Sequence, residues 1–264
     1  MSTLFSPQRI AAAMRCATPG LSIETVESTG STNADLMAQV GQMVAPVVLV
    51  ADQQLGGRGR AGRRWHSQAE SSLTFSLAWR FYSSVQALSG LSLVVGIALA
   101  DALAACGEEI QLKWPNDLLR DQKKLGGVLI ETSADPRADG ALWAIIGIGL
   151  NLQQSDRLQT EVGQPVSALS ATTVSDRDAL LARLLDHLCT HLTQFEREGF
   201  VNFAPRWNAL HAHRDLPVRI VDRGQLLHAG VARGVDAQGC LLLETPSGLH
   251  AVVAGDVSLR TVDI

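Results

Sequence analysis

The sequence predicts an α+β chain, a mixed sheet flanked by helices and followed by a small all-strand tail. Three observations predict it. Short runs of β-branched or alternating apolar residues recur at 46–52, 73–79, 125–131 and 142–152, which is the spacing of strands. Two segments, 91–106 and 175–195, read as helices, the first apolar almost throughout and the second apolar along one stripe. Beyond Pro217 the pattern changes to short runs separated by turns. The 264 residues allow a large domain and a small one, and the change of pattern puts the boundary near residue 214, dividing the chain into 1–214 and 215–264.

In chain order, GSTNADL at 30–36 presents Ser31, Thr32 and Asn33 either as caps of a short helix or as two hydroxyls and an amide for a small polar head group. The strand at 46–52 (PVVLVAD) and the strand at 73–79, where Leu73, Phe75, Leu77 and Trp79 alternate with smaller or polar residues, flank the loop GGRGRAGRRW at 56–65. Its four glycines let backbone N–H groups approach a ligand, and its four arginines, with no acid nearer than Asp52 and Glu70, make an anion site. A solvated basic loop or a weak RNA-contacting patch is the other reading of that run. The segment 91–106, rich in alanine and leucine, reads as a buried helix. It carries Asp101 and is shorter than the roughly 20 residues of a bilayer span.

In KWPND, 113–117, Pro115 ends a strand and Asn116-Asp117 form a turn. Lys124 then precedes the Gly126-Gly127 pair that opens the strand 125–131, where a compact cation can meet a phosphate held close to bare backbone. An ordinary exposed hairpin turn is the alternative. The strand 142–152 ends in GIGLN, 147–151, whose alternate glycines clear one face of the sheet either as a floor for a flat ring or for tight helix packing. In 175–195, Leu181, Leu184, Leu185, Leu188, Leu192 and Phe195 form one stripe, and Ser175 with Asp178 makes a capping box. The tail holds runs at 218–221, 226–232, 240–244, 249–253 and 257–262, with glycine and aspartate in the turns, and predicts a small barrel.

A hydrophobic fraction of 46% with a net charge of -4 fits a chain that buries a full core and excludes disordered and fibrous classes. The slightly acidic balance argues against wholesale nucleic-acid binding, although nineteen arginines accompany only three lysines, Lys113, Lys123 and Lys124. Four scattered cysteines with no C-x-x-C pair predict reduced thiols. The first twenty residues lack the apolar core of a secretory signal, so a soluble cytoplasmic protein without membrane contact is expected. His187 and His191 stand four apart on the long helix, and neither they nor His211 and His213 read as metal ligands.

Taken together, two cation clusters, two glycine floors and a neutral hydrogen-bonding trio suit a ligand with one anionic and one neutral polar end. Here the sequence resembles the biotin protein ligase family, through GSTNADL, QLGGRGRAGRRW, KWPNDLL, KKLGGVLIE and GIGLN, and through GVDAQGCLLLE and GDVSLR in the tail. The resemblance implies a class II synthetase-like catalytic domain and an SH3-like C-terminal barrel. It also implies a reaction of biotin with MgATP to biotinyl-5'-AMP, followed by transfer to a lysine of a biotin carboxyl carrier protein of acetyl-CoA carboxylase or a related carboxylase. On this reading Ser31, Thr32, Asn33 and Gln54 hold the ureido ring. Arg58, Gly59, Arg60 and Lys124 handle the carboxylate and phosphate, with Arg58, Arg60 and Lys124 catalytic. Gly127, Gly147 and Gly149 form the floor. Gly57, Arg63, Trp65, Asn116, Asp117 and Asn151 lie on the nucleotide side, with Trp65 near the adenine and Mg2+ carried by ATP. Only about 22 residues precede the matched region, too few for the winged helix of repressor members, so no DNA binding is expected, and the chain is a monomer or homodimer. The rival enzyme is a lipoate or octanoate ligase of related fold, and the rival of another class is a nucleic-acid-binding module using 58–64.

Overall fold

A computed structural model describes residues 3–153, 165–222, 224–255 and 257–261. Its larger sheet has seven strands: β1 (Ser22–Thr29), β2 (Val47–Gln54), β3 (Ser72–Phe81), β4 (Gln111–Lys113), β5 (Asp117–Arg120), β6 (Lys123–Ala134) and β7 (Leu142–Asn151). They lie in the order β1-β2-β3-β7-β6-β5-β4, parallel between β1 and β2 and antiparallel elsewhere, so the expected mixed sheet is present. Among the described residues five α-helices accompany it: α1 (Pro7–Ala13), α2 (Thr32–Gln39), α3 (Leu91–Ala104), α4 (Arg177–Glu198) and α5 (Ala204–Leu210).

The period of two in the central strands decides what covers each face. Leu73, Phe75, Leu77, Trp79 and Phe81 of β3, with Ala144, Ile146, Ile148 and Leu150 of β7, enter the main core with α3 and the leucine stripe of α4. The alternate residues Val47, Leu49, Ala78, Trp143 and Ile145 meet Leu36 of α2 in a smaller cluster. One helix of 8 residues is too short to cover that second face, and the uncovered part carries Thr74, Ser76, Gly147 and Gly149. The cavity described below lies there.

The apolar run 85–104 has the length and composition of a membrane span, but its α-helix takes up only 14 residues, of which 11 are buried. At 1.5 Å per residue it is about 21 Å long, a core helix between sheet and α4. Helix α4 starts one residue later than expected. Asp176, not Ser175, caps it by accepting from the Ala179 N–H at 3.1 Å. Asp178, expected in a capping box, instead accepts from the Ser6 N–H and pairs with Arg9, which docks α1. Strand β5, four residues long, turns KWPND into the β4–β5 hairpin. The polar edge strand β1 and the short helices α1 and α5 were not predicted.

The tail forms a second sheet of β8 (Pro217–Asp222), β9 (Gln225–Val235), β10 (Leu241–Thr245), β11 (Gly248–Val252) and β12 (Val257–Thr261). Its order, β11-β10-β9-β8-β12, is antiparallel throughout, with bulges at 220/221 and 242/243. Among the described residues no ladder joins β11 to β12. The five strands are those expected, but their hydrogen bonding leaves the sheet open where a closed barrel was predicted. The sheet shares the main core through Val218, Ile220, Leu241, Leu243 and Leu259. Polar bonds lock the junction: Trp114 Nε1–H donates to the Gly239 carbonyl, and the Asn208 side chain brackets the Val235 peptide.

The segment joining α5 to β8 holds two buried histidines. His211 packs on Trp207 with ring centroids 4.6 Å apart and has no partner for either ring nitrogen among the described residues. Burial pushes His211 down to about 3. Burial and then the charge of Lys113 push His213 down to about 4. Both rings stay neutral in the folded chain and take protons on unfolding below the ordinary value of 6.5. Stability is therefore full above that pH and falls as pH drops toward 4, by up to about 1.4 kcal/mol per pH unit for each ring. Urea midpoints at pH 7 and pH 5 check this. The drop should be smaller in a His211→Asn, His213→Asn double variant than in the parent chain, and equal drops would show that the rings do not titrate this way.

Candidate active site

The site starts from α2. Ser31 caps the helix by accepting from the Ala34 N–H at 3.4 Å, and this turns the next two side chains toward the bare face of the sheet. Thr32 donates through its N–H to Gln54 Oε1 at 2.8 Å, and its hydroxyl lies 2.6 Å from Ser76 Oγ. Ser76 donates to Asn33 Oδ1 at 2.6 Å. Asn33, only 3% exposed, donates through Nδ2 to Glu131 Oε2 at 2.8 Å and to the Leu129 carbonyl at 3.3 Å. Caps and head-group binders were alternative readings of Ser31, Thr32 and Asn33. The structure uses Ser31 as a cap and places all three along one cavity.

The glycines make room for these side chains. A Cβ on Gly147 would lie 2.4 Å from Asn33 Oδ1, and one on Gly149 would lie 2.4 Å from the indole of Trp65. Gly127 faces Asp117 and Lys124. Ser31, Thr32, Asn33, Gln54, Arg58, Gly59, Trp65, Gly127, Gly147 and Gly149 therefore line a single cavity. Trp65, assigned by the resemblance to the nucleotide side, rests on the floor of this cavity.

Over the cavity, the loop 56–65 is braced by its own backbone. The Gly59 N–H donates to the Arg63 carbonyl at 2.7 Å, and the Trp65 N–H donates to the Gly57 carbonyl at 2.9 Å. Gly57 is required here because a Cβ would meet the Trp65 carbonyl at 2.7 Å. Arg58 turns inward to Glu131 at 3.1 Å. Arg60 and Arg63 turn outward, donating to the Gly255 carbonyl and, at 2.7 Å, to the Ser258 hydroxyl of the tail. Arg60, Arg63, Asn116 and Asp117 line a second cavity together with Lys113 and with Ser258 and Arg260 of β12.

Lys124 lines neither cavity and is bound through Nζ to Asp117 Oδ1 at 2.6 Å, Asp117 itself lining the second. Burial pushes Lys113 below the ordinary lysine range. Asp117 opposes that shift, while Arg260, Lys124 and Arg63 add to it. The Asn116 amide is committed to the Val128 carbonyl at 2.8 Å. Asn151 is buried and braces the carbonyls of Ser167 and Lys124, and it lines neither cavity. Ser76, Glu131, Ser258 and Arg260 were not singled out from sequence. The first two had a signal: small polar residues at alternate positions of β3, and an acid closing the apolar run of β6.

Chemically, the first cavity offers neutral donors and acceptors together with the cation of Arg58, and the second is lined by the cations of Arg60, Arg63, Lys113 and Arg260. The family model described as "Biotin/lipoate A/B protein ligase family" matches residues 23–151, and that of the "Biotin protein ligase C terminal domain" matches 217–260. The biotin--[acetyl-CoA-carboxylase] ligase of Mycobacterium tuberculosis is 36% identical over 248 residues, 89% of this chain and 88% of its own length.

The chain belongs to the biotin protein ligase family.

A second relative, the bifunctional ligase/repressor BirA of Escherichia coli, is 33% identical over 92% of this chain and 76% of its own length. The biotin protein ligase of Aquifex aeolicus, solved in complex with biotin and ATP, superposes with a TM-score of 0.76 at 28% identity, covering 91% of this chain and 99% of that one. The biotin protein ligase fold accounts for both sheets and for the segment order read from the sequence.

The contact between Gly149 and Trp65 is directly testable. Trp79, Trp114, Trp143 and Trp207 are buried in cores, whereas Trp65 is held by a bare glycine. Gly149→Ala should displace the Trp65 ring into water and shift tryptophan emission to longer wavelength. The shift should vanish in Gly149→Ala, Trp65→Phe. An unmoved emission maximum in the single variant contradicts the packing.

Proposed function

We propose that this chain is an ATP-dependent biotin protein ligase, forming biotinyl-5'-AMP and passing the biotinyl group to a lysine of a biotin carboxyl carrier protein. The observation that carries it is the polarity of the first cavity. A ureido ring needs neutral partners in a dry pocket, and Thr32, Asn33, Gln54 and Ser76 provide them. The valerate carboxylate of biotin, at the far end of the molecule, needs the cations that Arg58 and Lys124 supply.

In the first step a carboxylate oxygen attacks the α-phosphorus of ATP, the P–O bond to pyrophosphate breaks, and a mixed anhydride forms. Both reactants are anions, so much of the barrier is bringing them together. Arg58, Arg60 and Lys124 offset the charge developing at phosphorus. The second cavity, with Arg63, Lys113 and Arg260, takes the polyphosphate. In the second step a carrier lysine amine attacks the acyl carbon and AMP leaves. Magnesium fits as a companion of the nucleotide rather than as a resident ion. Among the described residues Asp117 is the one carboxylate lining the second cavity, where it is taken up by Lys124, and no cluster of three metal-ligating residues occurs among them. The nucleotide roles of Gly57, Asn116 and Asn151 act through backbone geometry. Residues 1–214 carry this chemistry, and 215–264 form a module of SH3-like type that completes the second cavity.

Biotin with MgATP should release pyrophosphate, and lipoate, the control, should not. Tight RNA binding without turnover on biotin overturns the reading. Closure of the loop over the adenylate keeps water from the anhydride. Arg60→Gly, which removes one of the loop's two arginine ties to the tail, should still make adenylate but lose it to solution, measured as biotinyl-AMP in an ultrafiltrate. Full retention rejects the role given to Arg60.

A further inference from the structure

Glu131 lies on β6, two residues beyond Leu129 and four beyond Gly127, on the face that lines the first cavity. Its carboxylate takes two partners. Asn33 Nδ2 reaches Oε2 at 2.8 Å, and Arg58 Nη2 reaches Oε1 at 3.1 Å and Oε2 at 3.2 Å. One side chain thus joins the neutral end of the cavity to its cationic end.

Counting protons shows what the join does. A carboxylate only accepts, so the Asn33 amide must present Nδ2 to Glu131 and Oδ1 to Ser76. Ser76 has one proton, which goes to Asn33 Oδ1, so its bond with the Thr32 hydroxyl must take the proton from Thr32. Thr32 Oγ1 also stands 3.1 Å from Gln54 Oε1, an acceptor that already receives the Thr32 N–H. Asn33 and Ser76 therefore have one orientation, set by Glu131 at 2.8 Å and, through a longer bond, by the Leu129 carbonyl at 3.3 Å, while the one Thr32 hydroxyl proton is shared between Ser76 Oγ and Gln54 Oε1. An amide at 131 both donates and accepts, so only the longer bond to the Leu129 carbonyl would then hold Asn33 in that orientation.

We propose that Glu131 is a positioning residue of the ligand site: it fixes the donor and acceptor polarity that the ureido end of the ligand meets, and it holds Arg58 over the carboxylate end. The proposal rests on the biotin reading above. It makes Glu131 a determinant of specificity, because a site with one orientation rejects a ligand whose polar group is reversed.

The test is Glu131→Gln, nearly the same size and without the charge, compared with Glu131→Asp, which keeps the charge on a shorter arm. Adenylate formation is followed by pyrophosphate release with biotin and with 2-iminobiotin, in which an imino nitrogen replaces the ureido oxygen. A lost charged hydrogen bond is typically worth a factor of about ten or more in binding. The expected result for Glu131→Gln is a KM for biotin raised by about that factor, a KM for ATP within about twofold, and a kcat/KM preference for biotin over 2-iminobiotin reduced several-fold. Glu131→Asp should keep most of that preference. A general loosening of the fold would lower both substrates together and leave the preference unchanged, and that outcome overturns the proposal, as does an unaltered KM for biotin. If the unmodified chain itself releases no pyrophosphate with biotin, the ligase reading fails instead. If the unmodified chain turns over and Glu131→Gln matches it, only the role of Glu131 fails.

Discussion

Strand β7 is the constraint on which the rest of the molecule depends. Ile146, Ile148 and Leu150 point one way into the main core, and Gly147 and Gly149 leave the other side without side chains. Because neighbours in a strand face opposite ways, the same five residues anchor the sheet and open the cavity. Any side chain at 147 or 149 collides with Asn33 or Trp65, so the site cannot be altered there without disturbing a core strand. The paired strand β3 repeats the arrangement, with Phe75 and Leu77 in the core and Thr74 and Ser76 on the open side.

Burial then explains the polar chain that crosses the cavity. Ser76 and Asn33 are almost wholly out of water, where an unpaired amide or hydroxyl costs about 1–3 kcal/mol. Each must find a partner, and each finds another member of the same chain. The neutral end of the cavity is therefore rigid before any ligand enters, which lowers the entropic cost of recognition.

How legible this was in sequence varied with the kind of interaction. Periodicity gave the central strands β2, β3, β6 and β7, because alternate burial leaves a direct trace. It missed β1, whose SIETVEST carries polar residues on both sides of an edge, and it shifted the α4 cap by one, because Ser175 and Asp176 are both competent and tertiary contacts to Ser6 and Arg9 claimed Asp178. In the site, Ser31, Thr32, Asn33, Gln54, Arg58, Gly127, Gly147 and Gly149 line one cavity, whereas Arg60 and Lys124 do not. Glu131 and Ser76 left a local trace but escaped notice, because the partner that gives each its role lies 98 and 43 positions away. Ser258 and Arg260 escaped because the second cavity exists only where two sheets meet.

That meeting also explains the alternation of the loop arginines. Ala61 takes the left-handed conformation at φ 52, which turns the chain sharply between Arg60 and Arg63. Gly59 and Arg63 are bonded across the turn, so the loop stands as a short hairpin with an inner and an outer side. Arg58 falls inside and reaches Glu131, while Arg60 and Arg63 fall outside and reach Gly255 and Ser258. A loop held on both sides by arginines has its position set by the tail as much as by the catalytic sheet. The tail, in turn, is tied to the rest of the chain through Trp114 in the turn of the β4–β5 hairpin and Asn208 in α5. The small sheet is thus no appendage. It supplies one wall of the cation-lined cavity and the acceptors that hold the lid of the other.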